Sequence, residues 1–188
     1  MRIIAGQFRS RPIHAPRGRN VRPTSDRLRE TVFNVLTAGV PEALAGSVWL
    51  DLFAGSGAVG IEALSRGASM VHFVESARVA AAAIWQNLQA LGIKGGFEVS
   101  ERPALTALRQ MERAAITCDY CFLDPPWADA ESYCDVLALL AQSPMLKPAS
   151  IVIAEHDQRF DPGAAFGTLR RIRKLEQGDA TLSFYRLA

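Results

Sequence analysis

Residues 48–60 of the chain read VWLDLFAGSGAVG, and this stretch decides the fold because a strand pattern, a glycine turn and a helix pattern follow one another in it. The apolar residues at its start are typical of a buried strand, and Ile61 and Leu64 extend its end at helical spacing. Gly55 and Gly57 allow a tight turn and leave room for a ligand close to the backbone. The stretch therefore predicts a strand–turn–helix nucleotide-binding loop at the carboxyl edge of a sheet.

The acidic residues around this loop bear on which cofactor it would bind. Gly55-x-Gly57-x-x-Gly60 fits the dinucleotide fingerprint, so an NAD-binding domain is one interpretation. Glu75 lies about 20 residues further on, where a ribose contact is expected. Asp51, however, directly precedes the loop, where a carboxylate would repel a pyrophosphate and attract a cation, and the chain lacks the length for a typical dehydrogenase substrate domain. We therefore favour S-adenosylmethionine, with Asp51 near the methionine end and Glu75 on the ribose hydroxyls.

The composition is that of a single globular domain. The chain has 188 residues, of which 49% are hydrophobic and 21% are charged. Its apolar runs stay short of the roughly 20 residues that a membrane-spanning helix needs, and the N-terminal residues do not resemble a signal peptide. We expect a cytoplasmic, monomeric protein that does not contact membranes.

The positive charge is concentrated near the N-terminus. Residues 1–30 contain eight arginines, no lysine and two acidic residues, giving a formal charge of +6, whereas the remainder carries −4. Arginine suits bidentate phosphate contacts, so this basic arm indicates a nucleic-acid partner. A solvated terminus without a partner is the alternative interpretation. We expect RNA contacts from these side chains: Arg9, Arg11, Arg17, Arg22, Arg27 and Arg29.

The cysteines and histidines favour structural roles. Cys118 and Cys121 have the C-x-x-C spacing, but Cys121 lies in an apolar strand pattern, and residues three apart on a strand point to opposite faces. Zinc or redox chemistry is therefore disfavoured, and we expect no metal. No catalytic role is expected for the histidines at positions 14, 72 and 156, and a Tyr-x-x-x-Lys motif of an oxidoreductase is missing.

Strand and helix patterns alternate from residue 47 onward. Short spacers between them predict a parallel sheet with helices on both faces. The five strand patterns cover residues 48–51, 70–75, 97–100, 120–124 and 151–154.

The last part of the chain breaks this alternation. Residues 169–174 and 181–187 are strand-like and are joined by a turn, which predicts an antiparallel hairpin. The predicted fold is therefore α/β and Rossmann-like, with a mostly parallel seven-stranded sheet ending in an antiparallel hairpin, the layout of class I methyltransferases. We expect residues 1–40 to form a basic extension and a helix packed on the core, and residues 41–188 to form the S-adenosylmethionine-binding domain.

Residues 124–127, DPPW, follow the fourth strand at the same edge of the sheet. The two prolines fix φ and lack N–H donors, so the turn is stiff and its carbonyls stay free. Asp124 and the Pro125 carbonyl can accept hydrogen bonds from a planar amino group, and stacking of a base on Trp127 is worth roughly 1–3 kcal/mol. This arrangement predicts methyl transfer to an exocyclic amino group by positioning, with Asp124 able to accept the proton. A proline turn without chemistry is the alternative. The predicted catalytic residues are Asp124, Pro125, Pro126 and Trp127.

The Asp-Pro-Pro-aromatic motif resembles the signature of class I amino-methyltransferases. Residues 2–11, RIIAGQFRSR, and residues 22–34, RPTSDRLRETVFN, more narrowly resemble the bacterial 16S rRNA guanine-N2 methyltransferase D family. Residues 51–57 and 62–68 resemble the same family. The similarity extends over nearly the whole chain.

This resemblance implies methyl transfer from S-adenosylmethionine to N2 of one guanine in 16S rRNA, within the small ribosomal subunit or its assembly intermediate. It also implies that residues 22–24 fold over the cofactor. The chain departs from the family at Trp127, where Phe or Tyr is usual, and after the third strand, where backbone groups near Ala104 replace an Asp or Asn at the adenine. The expected cofactor contacts are Arg22, Pro23, Thr24, Asp51, Phe53, Ala54, Gly55, Ser56, Gly57, Glu75, Ser76, Ala104 and Asp124.

Two further functions remain open from the sequence. An N6-adenine methyltransferase on DNA or RNA would use the same cofactor and the same turn, and only the product nucleoside would differ. A non-catalytic RNA-binding assembly factor with a relict pocket would differ in failing to bind the cofactor.

Overall fold

The computed structural model describes residues 1–15 and 25–188, in which five helices and eight strands are found. The predicted contacts of Arg17, Arg22, Pro23 and Thr24 lie outside these residues. The helices are α1 (Asp26–Leu36), α2 (Ala58–Ser65), α3 (Arg78–Leu91), α4 (Ala104–Arg113) and α5 (Ala130–Leu140). The strands are β1 (Val48–Leu52), β2 (Met70–Val74), β3 (Phe97–Ser100), β4 (Cys118–Leu123), β5 (Leu146–Asp157), β6 (Ala165–Phe166), β7 (Leu169–Gln177) and β8 (Ala180–Leu187).

All eight strands form one sheet in the order β3-β2-β1-β4-β5-β8-β7-β6. The first five strands in this order are parallel to one another, whereas β8, β7 and β6 are antiparallel to their neighbours. The predicted Rossmann-like sheet and its C-terminal hairpin are therefore confirmed. β1 lies between β2 and β4, so the strand order reverses at β1, with β2 and β3 on one side of it and β4 and β5 on the other. This topological switch opens a crevice at the carboxyl edge, where ligands of such sheets bind.

The sheet has one strand more than the sequence predicted. β6 is two residues long and pairs with Leu169 and Arg170 of β7. A turn at Gly167, with φ of +53°, brings these segments together. Two residues carry no alternation, so periodicity could not have detected this strand.

The helices cover both faces of the sheet, as predicted. The core of one face contains apolar residues of α1, α2 and α3, and we call this the α1 face. The core of the other face contains residues of α4 and α5, and we call it the α4 face. Because the five parallel strands are covered on both sides, they consist largely of apolar residues. Within the described residues no helix has the length and apolarity to cross a membrane.

The N-terminal arm, residues 1–15, is held on α2 by a buried carboxylate. Glu62 is fully buried, and its two oxygens accept hydrogen bonds from the backbone N–H groups of Ile4 at 2.8 Å and Ala5 at 3.0 Å. The guanidinium of Arg66 lies 2.7 Å from the same carboxylate. A buried charge is tolerated when it is paired and hydrogen-bonded in this way.

Helix α1 begins at the N-cap Ser25, whose side chain accepts a hydrogen bond from the Leu28 N–H. It packs on the α1 face through an aromatic stack in which the ring of Phe33 lies 5.3 Å from that of Trp49, and Trp49 lies 4.7 Å from Tyr120. Such pairs add about 0.5–1.5 kcal/mol to the burial of the rings. Helix α1 therefore shares one core with the sheet. The division of the chain into residues 1–40 and 41–188 stays a prediction.

Candidate functional site

The glycine loop between β1 and α2 has three residues in the left-handed region of the backbone. The φ angles are +59° at Phe53, +55° at Gly55 and +75° at Gly57. Phe53 is the unusual one, because a side chain rarely adopts this conformation outside functional turns. The loop turns sharply enough to bring the first residues of α2 back over the end of β1.

The three glycines of the fingerprint meet different requirements. A Cβ at Gly60 would lie 2.3 Å from Cε1 of Phe73, and one at Gly57 would lie 3.2 Å from the same atom. These two glycines therefore allow α2 to pack closely on the sheet. A Cβ at Gly55 would meet no heavy atom within 4 Å, so the space beside it is open to a ligand.

Glu75, just beyond the end of β2, holds the glycine loop in place. One carboxylate oxygen accepts a hydrogen bond from the Gly55 N–H at 2.9 Å, and the other accepts one from the Ala77 N–H at 2.7 Å. Through these two hydrogen bonds the carboxylate, which is half-buried, joins the loop to the start of α3. Its oxygens can each accept a further hydrogen bond, which is what the predicted ribose contact needs.

Asp51 is the most deeply buried carboxylate of the site, with 2% of its surface exposed. One of its oxygens accepts a hydrogen bond from the Gly60 N–H at 2.8 Å. Burial raises the pKa of Asp51 from 3.8 to about 7, the Gly60 hydrogen bond opposes this increase, and the charge of Glu75 adds to it. A cation placed beside Asp51 would favour the ionised form.

The DPPW turn follows β4 and leads into α5. Pro125 is buried, Pro126 is exposed, and Trp127 is half-buried against the core of the α1 face. The Asp129 N–H donates to the Pro126 carbonyl at 2.7 Å, and the Asp129 side chain caps α5 by accepting from the Ser132 N–H at 3.1 Å. The turn is therefore fixed at both ends, by the strand and by the helix cap.

The sequence predicted that the carbonyls of the DPPW turn stay free. This is corrected for Pro125, whose carbonyl lies close to the hydroxyl of Tyr133 in α5. The Tyr133 hydroxyl lies 2.8 Å from the Glu155 carbonyl and 3.2 Å from the Pro125 carbonyl. A hydroxyl has one proton, and the nearer Glu155 oxygen is the better acceptor. Pro125 thus keeps accepting capacity, while Tyr133 ties the turn to the end of β5. Sequence reasoning missed this contact.

The sheet register brings the predicted chemical groups together. Leu52 of β1 pairs with Val74 of β2 on one side and with Leu123 of β4 on the other. Alternation along β1 puts Asp51 on the α1 face, and Glu75 and Asp124 each follow directly after their strands, so the three carboxylates stand at the carboxyl ends of three adjacent strands. Asp124 is half-buried at this edge.

The remaining cofactor predictions fall on segments around this edge. Ala54 is half-buried and Ser56 is buried within the glycine loop, whereas Ser76 is exposed at the turn before α3. Ala104 is the first residue of α4, and its side chain is buried on the α4 face. The cofactor-binding roles of Ser76 and Ala104 therefore stay predictions.

Asn87 of α3 is a second residue that sequence reasoning missed. Its side-chain amide donates to the carbonyls of His14 and Ser56, both at 2.9 Å, and its oxygen accepts from the His14 N–H at 2.9 Å. One buried side chain therefore joins the arm, the glycine loop and α3. An asparagine among the apolar positions 84, 88 and 91 of α3 was the available signal.

The predicted RNA-binding arginines divide into two groups. Arg9 and Arg27 are exposed. The Arg11 guanidinium donates to the carbonyls of Ala90 and Leu91 at the end of α3, so it anchors the arm.

Arg29 is the clear correction among these arginines. Its side chain is fully buried and donates to the carbonyls of Arg2 at 2.7 Å and Ala58 at 3.3 Å, and it lies 2.6 Å from the Asp26 carboxylate. The prediction that Arg29 contacts RNA is therefore wrong, because its charge is used inside the protein.

A glycine turn after the first parallel strand, a carboxylate after the second and a Pro-Pro turn after the fourth, on a sheet of this order, define a class I methyltransferase. Enzymes of this class take their methyl group from S-adenosylmethionine. The chain belongs to the family described as Conserved hypothetical protein 95, whose model matches residues 1–186.

Named relatives agree with this assignment. Ribosomal RNA small subunit methyltransferase D of Haemophilus influenzae is 37% identical over 161 residues, which cover 84% of this chain and 79% of that protein. The Escherichia coli K12 protein of the same name is 39% identical over 127 residues, 68% of this chain and 60% of that protein. YlbH of Bacillus subtilis is 32% identical over 186 residues, 99% of this chain and 98% of that protein.

Solved structures show the same fold. That of yhhF from Escherichia coli has a TM-score of 0.81 at 30% identity and covers 100% of this chain and 97% of its own. The structure of SMU.776 in complex with SAH has a TM-score of 0.67 at 14% identity, covering 86% of this chain and 48% of that one. At that identity the likeness concerns the fold alone.

Proposed function

We propose that this protein transfers a methyl group from S-adenosylmethionine to the exocyclic N2 of a guanine in 16S rRNA of the small ribosomal subunit. The observation that carries the proposal is the DPPW turn beside Asp51 and Glu75 on adjacent strands of one sheet edge. The names of the relatives from Haemophilus influenzae and Escherichia coli support small-subunit rRNA as the substrate. The choice of guanine N2 follows from the sequence resemblance.

The residues of the glycine loop suit this cofactor. Asp51 is a buried carboxylate whose pKa is raised to about 7, mainly by burial, and S-adenosylmethionine carries the positive groups that would favour its ionised form. Glu75 has oxygens for the ribose hydroxyls, and Gly55 borders open space. When bound, the cofactor supplies an electrophilic methyl group on a sulfonium.

The DPPW turn would hold the acceptor. Asp124 and the Pro125 carbonyl accept hydrogen bonds from the N2 amino group, which aims its lone pair at the methyl carbon, while Trp127 stacks on the base. As the methyl group passed from the sulfonium to the nitrogen, that nitrogen would lose one proton to Asp124 or to solvent. A guanine that is paired in a helix must first be extruded, so an unpaired base is the preferred substrate.

Three acceptors offered in parallel test this proposal. Labelled S-adenosylmethionine is incubated with the protein and naked 16S rRNA, small ribosomal subunits or duplex DNA, and the products are digested to nucleosides. We expect N2-methylguanosine from small subunits. N6-methyladenine would reassign the acceptor, and an absence of cofactor binding in calorimetry would support the assembly-factor alternative.

A further inference from the structure

Strands β7 and β8 carry a group of cations that has no part in the proposed function. Arg170, Arg173 and Arg186, which we call the hairpin arginines, are all exposed. They belong to the part of the chain outside residues 1–30, whose net charge of −4 gave no reason to expect a second basic surface.

The strand register puts the three side chains on one face. Arg173 pairs with Phe184 and Arg170 pairs with Arg186. Phe184 belongs to the core of the α1 face, and Arg186, two residues further along β8, points the same way. Directly opposed residues share a face, so all three hairpin arginines lie on the α1 face, on which Trp127 also packs. Along the strands, Arg173 is level with Ile153 of β5, and Arg170 and Arg186 lie closer to the amino end of that strand.

A bulge in β7 is what turns Arg173 to this face. The register shifts between Arg171 and Arg173, and Ile172 stays 54% exposed at the shift. Arg171 pairs with Tyr185, whose ring is in the core of the α4 face. In a regular strand Arg173 would point the same way as Arg171. Bulges commonly re-aim a side chain near a functional site.

The hairpin arginines differ from the neighbouring cations in their partners. Arg171 lies 2.6 Å from Asp161, and Lys174 lies 3.5 Å from Glu176. Among the described residues, none of the hairpin arginines has a carboxylate within ion-pair distance. Arg170 and Arg186 also oppose each other directly, and like charges in this arrangement are destabilising. The Arg170 guanidinium donates to the carbonyls of Gly167 and Leu169, which are neutral and leave its charge unpaired.

We propose that the hairpin arginines form a second phosphate-binding surface, which holds the RNA backbone on the α1 face while a base occupies the DPPW turn. The proposal rests on the proposed function for its choice of RNA as the partner. Arginine suits this task because its guanidinium binds phosphate in a bidentate manner. Such contacts fix the position of the RNA and do not read its sequence.

The test compares two variants with equal changes in net charge. One replaces Arg170, Arg173 and Arg186 by Gln. The matched control replaces Lys94, Arg109 and Arg113 by Gln, all of which are exposed and lie away from the hairpin. RNA affinity is measured for both as a function of salt with naked 16S rRNA and with small subunits, alongside cofactor affinity and steady-state kinetics.

We expect the hairpin variant to weaken RNA binding roughly tenfold or more near 0.1 M salt. The slope of log K against log salt should fall in magnitude by about 2–3, since each phosphate contact contributes about 0.7–0.9. The KM for RNA should rise, whereas kcat at saturating RNA and the cofactor affinity should match those of the control variant. The melting temperature should not fall, because the variant removes a like-charge pair.

Equal salt slopes for the hairpin and control variants would overturn the proposal. So would self-association of the hairpin variant with unchanged RNA affinity, because the arginines would then serve to protect an exposed edge strand. An effect confined to small subunits would assign the surface to a ribosomal protein instead. If the triple variant fails to fold, Arg173→Gln alone should lower the slope by about 1. Wild-type protein that binds RNA through this surface without methylating it would refute the proposed function and leave this inference standing.

Discussion

Asp51 and Asp124 stand at the ends of neighbouring strands, yet their surroundings differ. Asp51 is enclosed by the protein and bonded to the Gly60 N–H, whereas Asp124 is half-buried at the sheet edge. A buried carboxylate is sensitive to the charge beside it, and a half-buried one at an edge can contact a substrate. The two residues therefore suit different tasks in one reaction.

The raised pKa of Asp51 predicts a pH-dependent stability. Because the folded-state pKa, about 7, lies above the ordinary value of 3.8, the contribution of Asp51 is fully present below pH 4 and is lost as pH rises through 7. At 1.36 kcal/mol per pKa unit, the loss is at most about 4 kcal/mol. Urea unfolding of the Asp51→Asn variant between pH 4 and 8 should show a flatter pH profile than that of wild type. Parallel profiles, or the same flattening in the exposed control Asp135→Asn, would contradict this assignment.

The position of Asp124 predicts a separation of binding from chemistry. The Asp124→Ala variant should lose methyl transfer by about 10²–10⁴-fold, the range for a group that positions and deprotonates the acceptor. Its affinity for S-adenosylmethionine should stay within a few-fold of wild type, as measured by calorimetry. A large loss of cofactor affinity would instead move Asp124 into the cofactor site.

At the scale of elements, the arm and α2 form one unit through Glu62. The carboxylate receives two backbone N–H groups of the arm and the Arg66 guanidinium. The Gly6 backbone also lies against α2, where a Cβ would come within 1.8 Å of the Ser65 carbonyl oxygen. These contacts explain why residues 2–11 and 62–68, distant in sequence, both carry the family resemblance.

Removing the Glu62 charge should therefore release the arm. We expect Glu62→Gln to lower the free energy of unfolding by about 3 kcal/mol, because buried partners are left incompletely bonded. Hydrogen exchange should speed up at the amides of residues 4 and 5 before it changes in the sheet. The exposed Glu42→Gln variant is the control. Unchanged exchange in Glu62→Gln would contradict the role of Glu62 in holding the arm on α2.

At the scale of the whole molecule, the positive charges serve two purposes. Arg27 and Arg29 are two residues apart on α1, but Arg27 is exposed and Arg29 is fully buried. Arg11 likewise uses its guanidinium to hold the arm on α3. The +6 charge of residues 1–30 is therefore an upper limit on the positive charge that these residues can offer to RNA.

The two α1 arginines give a matched comparison. Arg27→Gln should weaken RNA binding and lower the salt slope by about 1 while leaving the melting temperature unchanged. Arg29→Gln should leave the slope unchanged but lower the free energy of unfolding by about 3 kcal/mol, because it breaks a buried network. Salt titrations and urea unfolding distinguish the two effects, and reversed results would return Arg29 to the RNA surface.

The sequence by itself determined the parallel α/β sheet, the glycine turn at residues 55–57 and the DPPW turn. These features depend on local properties: the apolar periodicity of strands and helices, the φ freedom of glycine and the fixed φ of proline. The C-terminal hairpin was predictable for the same reason, whereas the two-residue β6 was too short to leave a pattern.

Only the tertiary structure decided which polar residues meet inside the fold. The burial of Arg29 and the joining role of Asn87 depend on partners far away in sequence. Tyr133 likewise ties the DPPW turn to Glu155, on another strand of the sheet. The bulge at Ile172 likewise chose the face on which Arg173 lies. The sequence gives the charge of a side chain. Whether that charge is paired inside the protein or stays accessible to a ligand depends on burial and on long-range partners.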